Sequence, residues 1–557
     1  MTARPLALLL LLVAASLPLH AEETFSRGIV SSVHPLATDA GVNVLKQGGN
    51  AIDAAVAVAL TLGVVDGANS GLGGGCLMLI RRANGELVAL DGRETAPAAA
   101  TRDMFLPRGK ADTRLSQTGA LASGVPGALA AYEFAVQHYG RKKLADLLLP
   151  AADLAERGFL VDARYAGRVK EAAKDLARFE SSRAVFFKPN GRPLPKGERF
   201  KQPDLAATYR AIAGSGSDWF YRGPFAQATE RWMNAHGGLL TAQDFHDYRI
   251  QLREPIVTRY RTWQIVGFPP PSSGGVHVAQ ILNIVEHFDL KSLDAATRLH
   301  VLAEAMKFAF ADRAHWLGDP DFARVPRGLV SRDYAATLAR QIRLDRAIAV
   351  PTHGAPPDWR TDVFPKHTTH FSVADAEGNW VACTATINTT FGSKVVVPGT
   401  GVVLNNELDD FAIQPGVPNF FGAIGGDANA VAPGKRPLSS MSPTLVLKDG
   451  QPILALGAAG GPKIISAVAQ ELVGLLDLGL TPNEALTHPR LHHQWRPDQL
   501  VVEKALPRDL RAALAKRGHK IKKVSATAVS QIVARTADAR GFIGAADPRA
   551  GGSAAGW

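Results

Sequence analysis

Hydrophobic and polar positions change period along the chain, and the changes mark its organisation. From Pro35 to Gln47 apolar residues recur every three or four positions, which predicts an amphipathic helix stopped by Gly48-Gly49. Asn50 then stands as a cap for a helix over Ala51–Val65 that is apolar almost all round and so belongs in the interior. Two apolar runs, Cys76–Arg81 and Glu86–Asp91, flank Asn84-Gly85 and predict a hairpin. Between Gly127 and Arg346 the pattern is mostly helical, as in Ala128–Tyr139, Leu144–Glu156 and Ala295–Ala314. Short strands around Pro255–Phe268 and a rigid turn at Pro269–Gly275 interrupt it.

Past residue 367 strands replace helices. Thr368–Ala374 and Trp380–Ile387 flank Glu377-Gly378-Asn379, and Val402–Leu404 leads into Asn405–Phe411. Gln414–Ala430, rich in glycine and proline, reads as a mobile cover. Thr444–Lys448 turns at Asp449-Gly450 into Ile453–Leu456, and Gly457–Pro462 enters a helix at Ile464. There is no internal repeat and no low-complexity tract.

Composition narrows the classes. A content of 46% hydrophobic and 20% charged residues is that of a soluble globule, and 557 residues allow several domains or one large layered unit. Met1–Ala21 carries one positive charge, an apolar run over Leu6–Ala15 and a small residue before Glu22, the pattern of a secretory signal too short to span a membrane. Export to a periplasm is the expectation. The net charge of +11 is scattered over the sequence rather than gathered into a nucleic-acid patch, so it reads as solvated surface. Two cysteines, Cys76 and Cys383, exclude a disulfide scaffold and leave either buried thiols or one bridge. Asn69–Cys76 is glycine-rich, but it lacks the Lys-Ser/Thr of a nucleotide loop and precedes a strand.

The chemistry centres on Thr368. Irregular, proline-rich chain from Pro351 to Pro365 precedes it, and a cut there frees its amine at a strand start. A threonine hydroxyl is a poor nucleophile without a base; an N-terminal threonine carries its own, an α-amine of pKa ~8. Thr386 and Asn388, at the far end of the next strand, fall beside that amine in a hairpin. Glu407, Asp409 and Asp410 repel one another unless calcium, a substrate ammonium or plain solvation relieves them. Arg93, at the end of the first hairpin, is either surface or a two-pronged grip for a carboxylate. Gly457–Gly461 before a helix is either a packing turn or a pair of N–H groups for an oxyanion.

Seven separated motifs bring these pieces together: Arg93-Glu94-Thr95-Ala96-Pro97, Thr368-Thr369-His370, Asn388–Gly392, Leu404–Phe411, Pro437–Thr444, Gly460-Gly461 and Asp547-Pro548-Arg549. In this order they resemble the γ-glutamyltranspeptidase family of N-terminal-nucleophile hydrolases. The resemblance implies an α+β fold, a four-layer αββα sandwich formed jointly by two chains. It implies self-cleavage between His367 and Thr368, giving a large subunit over 22–367 and a small one over 368–557. Thr368 is then the nucleophile toward glutathione and other γ-glutamyl donors, with Thr386 positioning its amine and Gly460 and Gly461 supplying the oxyanion N–H groups. Arg93, Ser439 and Ser440 are implied to hold the donor α-carboxylate, and Asn388, Glu407 and Asp410 its α-ammonium. Amino acids or peptides serve as acceptors; no cofactor, metal, nucleic acid or membrane partner is implied. Phe421 stands where bacterial relatives often carry a tyrosine, which removes a lid hydrogen bond toward Asn388. The nearest rival is a glutaryl or cephalosporin-type acylase on the same fold. A rival of another class is a metal-binding protein using His367, His370, His492 and His493.

Overall fold

The computed structural model describes residues 23–360, 364 and 372–557. The expected signal segment and the expected cleavage pair, His367 and Thr368, lie outside the described residues.

Two antiparallel sheets form the centre. Along the chain their strands are β1 (Gly28–Ser32), β2 (Gly75–Arg81), β3 (Leu87–Gly92), β4 (Gln251–Arg253), β5 (Ile256–Tyr260), β6 (Trp263–Gly267), β7 (Ser372–Asp375), β8 (Trp380–Thr386), β9 (Thr444–Lys448), β10 (Gln451–Ala459), β11 (Val529–Arg535), β12 (Phe542–Ala546) and β13 (Ser553–Gly556). The first sheet has the order β13-β1-β7-β8-β2-β3-β4, and the second β12-β11-β10-β9-β6-β5.

Strands covered on both faces need apolar side chains pointing both ways, which is why they read as unbroken apolar runs. In β2, Cys76, Met78 and Ile80 join a core with the helices, whereas Leu79 joins the layer between the sheets. In β9, Leu445 and Leu447 face that inter-sheet layer and Val446 faces the helices beyond. Trp380, Phe268 and Phe542 fill the inter-sheet space beside Ala89, Ala374, Ala382 and Ala455, large against small.

Helices close both outer faces. α1 (Pro35–Lys46), α2 (Ala51–Val65), α3 (Ala128–Tyr139), α4 (Leu144–Arg157) and α5 (Ala163–Leu176) contribute to the core on the first sheet. α6 (Gly274–Val285), α7 (Ala295–Trp316) and α8 (Lys463–Leu476) contribute to the core on the second. The result is the expected αββα sandwich. α2 is buried along all 15 residues, and Asn50 and Asp53 form a reciprocal capping box at its start. Asp449 and Gly450 both take positive φ, 50° and 75°, the signature of a tight turn between β9 and β10.

One expectation is corrected and one open alternative is settled. Val402–Leu404 is not a sheet strand: Val397 N–H bonds Val402 O and Leu404 N–H bonds Val395 O, so this stretch folds on its own neighbour in a local hairpin. The thiols of Cys76 and Cys383 are buried and free, on the adjacent strands β2 and β8, where Cys76 stands opposite Ala385 and Cys383 opposite Met78. No helix among the described residues is long and apolar enough to cross a membrane.

Candidate active site

The loops that leave β3, β8 and β10 converge on one cavity of about 390 Å³. It is lined by Arg93, Thr386, Asn388, Glu407, Asp410, Ser439, Ser440, Gly460 and Gly461, so all the predicted site residues that the structure describes meet there.

Arg93 follows the last residue of β3 and is almost wholly buried. Its Nε donates to the Pro437 carbonyl at 3.0 Å, Nη1 to Glu407, and Nη2 to Asp410 Oδ2 at 2.7 Å. Glu94 Oε2 lies 3.7 Å from the same guanidinium. The acidic cluster is therefore relieved by the protein's own arginine, an arrangement not foreseen from the sequence, which weighed a metal, a substrate ammonium and solvent. Asp409 takes a different course, accepting from Ser116 Oγ at 2.6 Å and from Phe420 N–H at 2.8 Å.

Burial pushes the Glu407 carboxyl up to about 7 against the pull of Arg93, and Asp410 adds to the rise. Burial also raises Asp410, while Arg93 and Arg313 pull it back. Glu94 is held well above the ordinary carboxylate range, first by burial and then by Glu407. Burial alone would lower the Arg93 pKa, but Glu407, Asp410 and Glu94 together raise it, so its charge is secure.

A second buried cation was missed. Arg313, near the end of α7, donates through Nε to Ser273 Oγ and through Nη2 to Ser440 Oγ, both at 2.9 Å. It has no carboxylate within ion-pair distance among the described residues, and it lines the cavity. Burial drives its pKa down to about 10, with Asp410 opposing and Arg93 adding to the fall. The available signal was a charged pair, Asp312-Arg313, ending a helix that is otherwise alanine- and phenylalanine-rich.

The remaining groups are fixed by backbone geometry. Thr386, the last residue of β8, accepts from Asn388 N–H through Oγ1 at 2.7 Å. Asn388 adopts φ 73° and donates through Nδ2 to the Asn406 carbonyl at 2.9 Å. The turn after it is pinned by the buried Lys394, whose Nζ reaches Thr389 Oγ1 at 2.9 Å and Gly392 O at 2.6 Å. Gly460 and Gly461 lie between β10 and α8 with φ of 150° and 60°, left-handed values that glycine tolerates best. Neither N–H donates a hydrogen bond among the described residues, so two amides at the start of α8 are open to the cavity.

The Gln414–Ala430 segment covers this floor. Phe421 lies so close to Gly461 that a Cβ there would stand 2.6 Å from its ring. Asn419 Nδ2 reaches Asp410 Oδ1 at 3.2 Å, and Gln494 Nε2 reaches the Gly422 carbonyl at 2.8 Å. The cover is thus tied to the acids and to the segment after His493. His492 and His493 are each satisfied by protein: His492 by Ser466 Oγ and Gln494 Oε1, His493 by Trp495 N–H and Asp498.

A paired arginine–carboxylate cluster, a buried arginine with no carboxylate partner among the described residues, and two open amides in one cavity suit an amino-acid head joined to an acyl group. A family model described as Gamma-glutamyltranspeptidase matches residues 37–557. The chain belongs to the γ-glutamyltranspeptidase family. The glutathione hydrolase proenzyme of Escherichia coli (strain K12) is 45% identical over 528 residues, covering 94% of this chain and 90% of that protein. An acylase ACY 1 proenzyme of Pseudomonas sp. (strain SE83) is 41% identical over 507 residues, covering 89% and 87%. Among solved structures, cephalosporin acylase from Bacillus halodurans superposes with a TM-score of 0.86 at 31% identity, covering 98% of this chain and 99% of that one. Relatives named glutathione hydrolase and relatives named acylase are thus both similar to this chain.

Proposed function

We propose that the protein is a γ-glutamyl hydrolase and transpeptidase. The precursor cuts itself between His367 and Thr368: Thr368 Oγ attacks the His367 carbonyl, the nitrogen of Thr368 leaves as a free amine, and water hydrolyses the ester. In the mature enzyme Oγ attacks the γ-carbonyl of a donor such as glutathione, its proton passing to the α-amine. The leaving amine takes up a proton as the acyl-enzyme forms, and water or an amino-acid or peptide acceptor then releases the glutamyl group. Ser372, the first residue of β7, stands opposite Ala382, four positions before Thr386; Thr368 precedes Ser372 by the same number. Gly460 and Gly461 N–H groups take the oxyanion, each worth very roughly 3 kcal/mol in the transition state.

The observation that carries this reading is the charge arrangement around Arg93. A glutamyl α-carbon bears a carboxylate and an ammonium on one atom, so its site needs cations and anions side by side. Arg93, Arg313, Ser439 and Ser440 face one need, and Glu407, Asp410 and Asn388 the other. A glutaryl group has no ammonium and leaves Glu407 and Asp410 without a ligand, which favours the γ-glutamyl reading over the acylase. Competing hydrolysis of γ-glutamyl and glutaryl anilides tests it: the γ-glutamyl anilide is expected to win by at least about 10-fold. In Asp410→Asn that preference should shrink because only the glutamyl donor loses a partner; equal losses on both would remove Asp410 from the ammonium site.

The Glu407 carboxyl sets a pH dependence. It holds an ammonium only when ionised, and its raised pKa of about 7 places ionisation near neutrality. The KM for a γ-glutamyl donor is therefore expected to fall as pH rises from about 6 to about 7.5. Glu407→Gln should flatten that dependence, and an unchanged profile would assign the titration elsewhere.

The large and small subunits remain together in this proposal because β1 lies between β13 and β7, two strands from beyond residue 368. A broken peptide link leaves both ladders of β1 intact. The apolar run within Met1–Ala21 supports export to the periplasm.

A further inference from the structure

The cavity extends past the groups that the glutamyl head needs. At about 390 Å³ it lies in the range for a drug-sized ligand rather than for one amino-acid head. Beyond Thr386 and Asn388 its wall is formed by Asp66, Asn69, Arg164, Arg168 and Thr390. Arg164 and Arg168 are four residues apart on α5, so they share one helix face.

These arginines are held toward the cavity with donors to spare. Arg168 Nη1 bonds Thr390 Oγ1 at 3.2 Å, which ties it to the Asn388–Gly392 turn. Its other partner, Glu171 at 3.2 Å, is a largely exposed carboxylate three residues along the helix, the kind of pair that contributes little. Arg164 donates no hydrogen bond among the described residues. Its nearest acid, Asp66 Oδ1, is 3.9 Å away and already accepts from Asn69 Nδ2 at 2.8 Å. The Arg164 side chain is only 28% exposed, so these unused donors stand in sheltered space.

We propose that Arg164 and Arg168 form the subsite for the carboxylate of the departing peptide and of the incoming acceptor. The inference rests on the γ-glutamyl reading above. When a γ-glutamyl peptide is cleaved, the departing amine carries a residue that ends in a carboxylate. Transfer to an amino acid or peptide is the same step reversed, so the acceptor enters where the leaving group departed. A guanidinium fork is the side chain best suited to hold that carboxylate.

Steady-state kinetics with glutathione and with its C-terminal amide test the proposal. The two donors differ only in the terminal charge, so the ratio of their kcat/KM values cancels any defect common to both. The wild-type ratio is expected to favour the carboxylate roughly 10-fold or more, and Arg164→Gln/Arg168→Gln should bring it close to one. Arg164→Lys/Arg168→Lys, which keeps the charge and loses the fork, should fall between. A double Gln variant with the wild-type ratio, or a wild-type ratio near one, would overturn the subsite. Failure of the wild-type enzyme to hydrolyse γ-glutamyl-p-nitroanilide, whose leaving group has no carboxylate, would instead overturn the donor assignment on which the subsite rests.

Discussion

Thr368→Ala is expected to yield one uncut polypeptide and to abolish γ-glutamyl hydrolysis, a loss of at least about 10³-fold in kcat. Both effects come from one atom, since the oxygen that would break the His367–Thr368 bond is the oxygen that would later carry the glutamyl group. A denaturing gel reads the first effect and release of p-nitroaniline from γ-glutamyl-p-nitroanilide the second. Folding gives the necessary control. The two segments on either side of residue 368 share the first sheet, with β1 paired to β7 and β13, so the uncut variant has the same ladders to form. Its thermal unfolding should therefore stay cooperative, and Thr368→Ser, which keeps the hydroxyl, should restore part of both activities. Two bands from the alanine variant, with the smaller still beginning at position 368, would refute the assignment.

Arg93→Lys is expected to raise the donor KM by roughly 10- to 100-fold while changing kcat less. The guanidinium uses three nitrogens for three partners, Pro437 O, Glu407 and Asp410, and one ammonium cannot occupy all three places. A lysine keeps the charge among Glu94, Glu407 and Asp410, so the folded state should survive. Arg93→Met removes that charge and leaves buried carboxylates uncompensated, at a cost of about 3–5 kcal/mol. Kinetics on the lysine variant and thermal unfolding of the methionine variant thus read two roles of one side chain. An unchanged donor KM in Arg93→Lys would take Arg93 out of the donor site.

Local pattern was sufficient for many of the elements. The Asn50 cap, the all-apolar α2, the Asn84-Gly85 hairpin and the Asp449-Gly450 turn are set by residues within a few positions of each other, and the structure has each where short-range rules place it. The motif set around Arg93, Asn388, Glu407, Ser439 and Gly460 likewise pointed to one site. Val402–Leu404 went astray because an apolar triplet is equally suited to a sheet and to a local hairpin, and only the pairing partner separates them.

The charges are a different matter, since they depend on neighbours far apart in sequence. Nothing near Glu407 announces that Arg93, more than 300 positions earlier, neutralises it, or that Arg313 arrives from a helix to stand beside Ser440. Burial strengthens these contacts and makes an unmatched charge costly, and burial is a property of the packed layers alone. The sequence by itself determined many of the helices, strands and turns, and the chemistry on offer. The tertiary structure decided which charges meet, which arginines line the cavity, and how two segments of one chain share a single sheet.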